Sequence, residues 1–154
     1  MADEIKIEKY TIDRMPDVID FELRLRAEED VWGWEIDEEY KKSVKSSFSD
    51  GRFDNAISLL AYENDKVVGR IDAALIPTRL DGAVNAYLDW ICVIKSRRHK
   101  GVGQALLAEL KKTLKEKGVT TLVALTASNE EAQRFYKSVP DSEMKDTGIW
   151  IEIK

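Results

Sequence analysis

Residues 87–114 constrain the fold of this chain more than any other stretch. An apolar, strand-like run of Tyr87, Leu88, Trp90, Ile91, Cys92 and Val93 passes into a cationic loop holding Lys95, Arg97, Arg98, His99 and Lys100. The chain then crosses Gly101, Val102 and Gly103 into a segment where Val102, Leu106, Leu110 and Leu114 recur every four residues with charges opposite, the period of a half-buried helix. Strand, basic glycine loop, helix is an arrangement that holds anions. The first helical turn has backbone N–H groups without intrahelical partners, and the macrodipole places partial positive charge there. Glycine lets an anion reach that backbone with no Cβ in the way. Arg98 and Lys100, with Arg97 beside them, add charge at the same spot, so a pyrophosphate suits it better than a single carboxylate. The alternative is that two glycines and some surface cations merely close a turn.

At 154 residues and 44% hydrophobic, the chain is long enough for one domain with its own core, spanning residues 1–154. There is no 18-residue apolar run and residues 1–10 are charged, which predicts no transmembrane helix, no secretory signal, no membrane partner and a cytoplasmic location. Cys92 is the only cysteine, so no disulfide forms within the chain, and its apolar strand predicts a buried, inert thiol rather than a nucleophile. One cysteine and one histidine, His99, fall short of a zinc ligand set, so no metal is expected.

The net charge of −5 argues against a nucleic-acid partner. Residues 28–39 carry Glu28, Glu29, Asp30, Glu35, Asp37, Glu38 and Glu39 with no basic residue, whereas residues 95–117 are rich in Lys and Arg. That split suits one anionic and one cationic ligand on different parts of the surface. Equally, the acidic run could simply start and solvate a helix, where carboxylates favour the first turn.

Ile5 and Ile7 alternate with charges and predict a short strand. Val18, Phe21 and Leu25, with Ile19 and Leu23 beside them, predict a helix over residues 14–27, and Ile36, Tyr40, Val44 and Phe48 a second one ending before Asp50 and Gly51. The period then changes. Residues 56–62 and 66–75 are apolar segments hinged at Glu63, Asn64 and Asp65, a β-hairpin, and a turn over residues 77–82 leads to the strand at 83–94. The three strands form an antiparallel meander. Gly118 ends the central helix, residues 119–125 are a β-branched strand, residues 129–138 a short helix, and Ile149, Trp150 and Ile151 a terminal strand. Strand, helix and strand over residues 87–125 form a crossover that places two parallel strands side by side.

Arg98-His99-Lys100-Gly101-Val102-Gly103 resembles the pyrophosphate loop of the GNAT superfamily of acyl-CoA-dependent N-acyltransferases, Gln/Arg-x-x-Gly-x-Gly/Ala. The segment from Asn129 through Ala132 to Phe135 and Tyr136 is similar to the later Asn-x-x-Ala-x-x-Phe-Tyr of that family. The resemblance implies an α/β (α+β) fold: a mixed, mostly antiparallel sheet of six to seven strands with a splayed parallel pair, strands four and five, flanked by about four helices. It also implies acetyl-CoA as acyl donor. Backbone groups of Ile91, Cys92 and Val93 would then bond the pantetheine amides, and the backbone of His99, Lys100, Gly101, Val102, Gly103 and Gln104 would hold the pyrophosphate, with Arg98 adding charge. Asn129 would contact the pantetheine arm, and the Tyr136 hydroxyl would lie near the CoA sulfur. By analogy with the superfamily a homodimer is expected.

N-Acetyl transfer needs a neutral amine, a group to polarise the carbonyl oxygen and a proton for the leaving thiolate. A backbone N–H near Ile91 suits the second task. Tyr136, with an unperturbed pKa of about 10, is the candidate acid, or else a core tyrosine beside Phe135. Asp89 is the candidate base, or else a partner of Arg70 or Arg98. Strand alternation gives Asp89 the same face as Ile91 unless a bulge intervenes. Two positions depart from the family pattern: Lys95 replaces a proline, and Pro140-Asp141 replaces Gly-Phe on the path to the last strands. Ala124 stands where ribosomal-protein acetyltransferases carry a catalytic Glu, which counts against that activity. The expected activity is direct acetyl transfer, in a ternary complex, to a small and polycationic amine bound by the two N-terminal helices near Trp32, Trp34 and the acidic run. The other readings are a protein or peptide amine acetyltransferase, and a non-catalytic acyl-CoA sensor or structural subunit.

Overall fold

The computed structural model describes residues 4–30 and 33–154. These resolve into two compact units, Met1–Val123 and Ala124–Lys154. Five strands form one sheet in the order of the chain: β1 (Lys6–Lys9), β2 (Ala56–Glu63), β3 (Lys66–Pro77), β4 (Val84–Val93) and β5 (Leu122–Ala124). The first three pairings are antiparallel, and the β4–β5 pair is parallel across the helical crossover. The α+β fold is as expected, with five described strands rather than six or seven. Four helices accompany the sheet: α1 (Met15–Glu28), α2 (Glu38–Ser47), α3 (Val102–Glu116) and α4 (Glu130–Lys137).

The β2–β3 hairpin turns at Asn64 and Asp65, both with positive φ (50° and 60°), the backbone that a two-residue hairpin demands and that Asn and Asp tolerate best. Gly118 has φ +75° just beyond α3, where a left-handed residue closes the helix.

The two faces of the sheet hold different helices. On β3, Gly69 leaves so little room that a Cβ there would lie 3.1 Å from the Cys92 carbonyl oxygen and 3.2 Å from Val102 and Leu106, so α3 packs directly on that face. Its stripe of Val102, Leu106, Leu110 and Leu114 is buried as the four-residue period predicts. Arg70, on the opposite face, bonds Glu22 of α1, and Tyr62 of β2 donates to Asp17 of the same helix at 2.7 Å. Val18, Phe21 and Leu25 are the buried stripe of α1, whereas Leu23 is 56% exposed.

Two expectations are corrected. Strand β5 covers three residues instead of seven. No strand forms after α4: Ile149, Trp150 and Ile151 lie in irregular, exposed chain, with no partner strand to cover them among the described residues. In the second unit α4 is capped by Asn129, whose side-chain oxygen accepts from the Ala132 N–H at 2.8 Å, and Gln133 ties the helix back to Thr126 and Ala127.

Candidate active site

Strand β4 carries the decisive irregularity. Opposite β3, Asp72 pairs with Trp90 and Ala73 with Leu88, so Asp89 is the extra residue of a β-bulge. Alternation with Ile91 is therefore broken. Leu88 is buried, Asp89 is exposed, and Trp90 falls on the face of Arg70 and α1. The amide of Ala86 donates to the Thr121 carbonyl, a register that runs β5 beside residues 86–88 and ends it before the bulge. Ile91, Cys92 and Val93 thus extend beyond β5, and among the described residues no strand pairs with their side away from β3.

After Val93 the chain makes a single 3-10 turn, Lys95–Arg97, and then passes through His99 (φ +60°) and Gly101 (φ +84°) into α3. Gly101 is the N-cap of α3, and among the described residues no side chain caps it and nothing lies within 4 Å of where its Cβ would be. By contrast Asp37 caps α2 with its own carboxylate. Lys100 is exposed next to the first turn of α3.

Arg98 has partners within the protein. Its Nε donates to the Val93 carbonyl at 2.9 Å, its Nη1 donates to Glu29 at 3.1 Å, and its Nη2 donates to the other Glu29 oxygen. Arg97 donates to Glu63, and Ser96 donates to Glu28 through both its amide (2.8 Å) and its hydroxyl (2.7 Å). Glu28 and Glu29 end α1 rather than start a helix, and both face the loop. The bond from the Ser96 amide, with that of the hydroxyl, holds the Glu28 carboxyl below the ordinary value.

On the α1 face, a cluster not foreseen in the sequence surrounds Trp90. Arg70 donates to Asp72 at 2.7 and 2.9 Å and to Glu22 at 3.2 Å. Its guanidinium lies over the rings of Tyr10 (5.2 Å) and Trp90 (5.6 Å). Tyr40 donates its hydroxyl to both oxygens of Glu22, at 2.7 and 2.8 Å, and Ser58 donates to Asp72. Burial raises the pKa of Glu22, against the pull of Tyr40 and Arg70. Burial alone would lower that of Arg70, but Asp72 and Glu22 carry it above its ordinary value. The Tyr10 hydroxyl is buried with no hydrogen-bond partner among the described residues, and burial pushes it up to about 12. Trp34 meets both Trp90 (5.9 Å, edge-on) and Tyr40 (5.5 Å), forming an aromatic wall above two carboxylates and one guanidinium. A charge within the apolar stripe of α1, Glu22, and the alternation of Arg70 and Asp72 along an apolar strand were the available signals. Trp32 lies outside the described residues.

Neither Arg70 nor Arg98 pairs with Asp89, since their carboxylate partners are Asp72, Glu22 and Glu29. Cys92 is half-buried, and burial pushes its thiol up to about 11, so the thiolate a nucleophile needs is scarce at neutral pH. Within unit one, then, β4 and α3 bring together residues 91–93 and 98–104, with Asp89 at the bulge. Asn129 and Tyr136 belong to the second unit. Asn129 caps α4, and Tyr136 lies near its end, edge-on to Phe135 at 5.4 Å. No helix among the described residues is long and apolar enough to cross a membrane.

The family model described as acetyltransferase (GNAT) family matches residues 15–139. No curated protein sequence matches the chain. Among solved structures, an aminoglycoside acetyltransferase from an uncultured soil metagenomic sample, in complex with sisomicin, superposes with a TM-score of 0.81 at 18% identity over 97% of both chains. A ribosomal-protein-alanine N-acetyltransferase from Brucella melitensis biovar Abortus 2308 gives 0.74 at 16% identity, over 98% of this chain and all (100%) of the other. A transcriptional regulator from Bacillus halodurans C-125 gives 0.78 at 17% identity, over 97% and 100%.

Proposed function

The chain belongs to the acetyltransferase (GNAT) family, and from that premise we propose that it transfers an acetyl group from acetyl-CoA to a primary amine of a small cationic acceptor, by direct attack in a ternary complex. The observation that carries this reading is the start of α3, where, among the described residues, no side chain caps the helix and nothing crowds the Cα of a left-handed Gly101. That arrangement suits a diphosphate because its N–H groups need an anion and no Cβ obstructs one. We assign the amides of residues 99–104 to the diphosphate, with Lys100 adding charge, and the backbone of Ile91, Cys92 and Val93 to the pantetheine arm.

Acetyl-CoA supplies the activated acyl group as a thioester. A β4 N–H near Ile91 polarises the acyl oxygen, Asp89 takes the proton of the amine directly or through water, and Tyr136 returns a proton to the departing sulfur, with Asn129 steadying the arm. The high thiol pKa of Cys92 favours direct attack over an acyl-enzyme.

The acceptor rests against Trp34 and Trp90, where aromatic faces attract cations. Beneath them lie the carboxylates of Glu22 and Asp72, set against the guanidinium of Arg70 and that of Arg26, which lies 5.7 Å from the centre of the Trp34 ring. Solved proteins of this fold that are described as aminoglycoside acetyltransferases support an acceptor with several amines. An intracellular donor implies a cytoplasmic enzyme.

Calorimetry with CoA, followed by free-thiol release from acetyl-CoA with polyamines, aminoglycosides, amino acids and peptides, tests this. Binding is expected, with turnover confined to cationic small amines. Absence of CoA binding would refute the donor assignment; turnover on peptides alone would refute the acceptor class.

A further inference from the structure

Glu28 and Glu29 stand where a helix least favours them. They close the C-terminus of α1, at the negative end of its macrodipole, where cations stabilise and carboxylates do not. Their partners explain them. Glu28 accepts two bonds from Ser96, and Glu29 grips the Arg98 guanidinium, which itself reaches back to the Val93 carbonyl. From the other side, Glu63 at the end of β2 holds Arg97. Three consecutive loop residues are thus fixed by three carboxylates from two elements, 34 to 69 positions away in sequence. The next residues, His99 and Gly101, are left-handed and belong to no helix or strand, so their direction depends on what anchors either side of them.

We propose that Glu29, with Glu28, is a positioning residue for the donor site. The end of α1 holds residues 96–98 so that the amides that follow converge on one point, and Arg98 is the strut through which Glu29 acts rather than a diphosphate ligand. This rests on the donor reading above. It also gives the acidic run a purpose other than drawing in the acceptor: at least its first two carboxylates serve the anionic ligand, indirectly.

The test compares CoA with pantetheine, which lacks the phosphates, by calorimetric titration of wild type, Glu29→Gln and Glu28→Gln. Losing a charge-assisted bond that shapes the loop is expected to weaken CoA binding by about tenfold or more. Pantetheine, which would meet only β4, should bind as before, and the kinetic loss should be carried by KM for acetyl-CoA. Ser96→Ala, a smaller change that removes one of the two bonds to Glu28, should give an intermediate loss and covers the case in which a Glu variant does not fold. Unchanged CoA affinity in the variants would overturn the proposal. So would equal weakening of CoA and pantetheine, the mark of general disruption, or tighter CoA binding, the mark of Glu29 competing with the diphosphate for Arg98. If wild type takes up no CoA, the donor reading itself falls, and this is seen before any variant is compared.

Discussion

Arg70 holds its guanidinium 5.6 Å from the centre of the Trp90 indole while bonding Asp72, the residue paired with Trp90 across the sheet. One cation thus steadies both a half-buried carboxylate and the aromatic residue next to the Asp89 bulge. Replacing it by Met would leave Glu22 and Asp72 without a counter-charge, and breaking such a buried pair costs about 3–5 kcal/mol. Urea unfolding of Arg70→Met should show a loss of that size, and a loss under about 1 kcal/mol would mean that the cluster is solvated rather than buried.

Gly69→Ala tests the seam between β3 and α3. The added Cβ would meet the Cys92 carbonyl at 3.1 Å, a backbone atom that cannot rotate aside, and Val102 and Leu106 at 3.2 Å. Overpacking of this kind costs about 1–3 kcal/mol, so the melting temperature should fall by several degrees. Unchanged stability would show that α3 slides freely on the sheet.

Cys92 provides a chemical readout. With a thiol pKa of about 11, thiolate is roughly one part in a thousand at pH 8. Alkylation by iodoacetamide should therefore be slow in the folded protein, speed up about tenfold per pH unit below that value and become fast in urea. Rapid labelling at pH 7 would contradict the burial that raises the pKa.

The Glu28 carboxyl is held low, first by the Ser96 amide and then by its hydroxyl. A folded pKa below the unfolded one means that the stabilisation is complete above the ordinary carboxylate value and is lost as pH falls through the lowered one. The stability difference between wild type and Glu28→Gln should therefore be constant near pH 7 and shrink towards zero in acid, as the lowered carboxyl takes up its proton. A difference that grows in acid would reverse the sign and exclude this bond.

At the proposed acceptor wall, Trp34→Ala should raise KM for a cationic amine by about 2- to 30-fold, the worth of a cation–π contact, and leave a neutral amine's KM in place. Equal effects on both would mean that Trp34 only packs.

Local pattern made much of this architecture legible. The four-residue stripe of α3, the hairpin hinge at Asn64 and Asp65 and the meander up to β4 all follow from periodicity and turn chemistry, which act between near neighbours. Long-range pairing was not legible. Glu28 and Glu29 read as part of an acidic surface run because their partners lie 68 and 69 residues away. The face of Asp89 stayed open between alternation and a bulge, because a bulge depends on how two strands match, which one strand cannot reveal. Ile149, Trp150 and Ile151 have the composition of a strand, yet a strand also needs an edge to join, and no described strand pairs with them.

That last stretch has a practical outcome for anyone who prepares the protein. Trp150 is 78% exposed and Ile153 94%, in an alternating Ile-Trp-Ile-Glu-Ile sequence. Water-facing side chains of that kind gather with others of their own sort, and more strongly as salt rises. Handling at high concentration in ammonium sulfate would then favour clumping that begins at this tail rather than in the domain core, and a single Trp150→Ser exchange would be the first remedy to try.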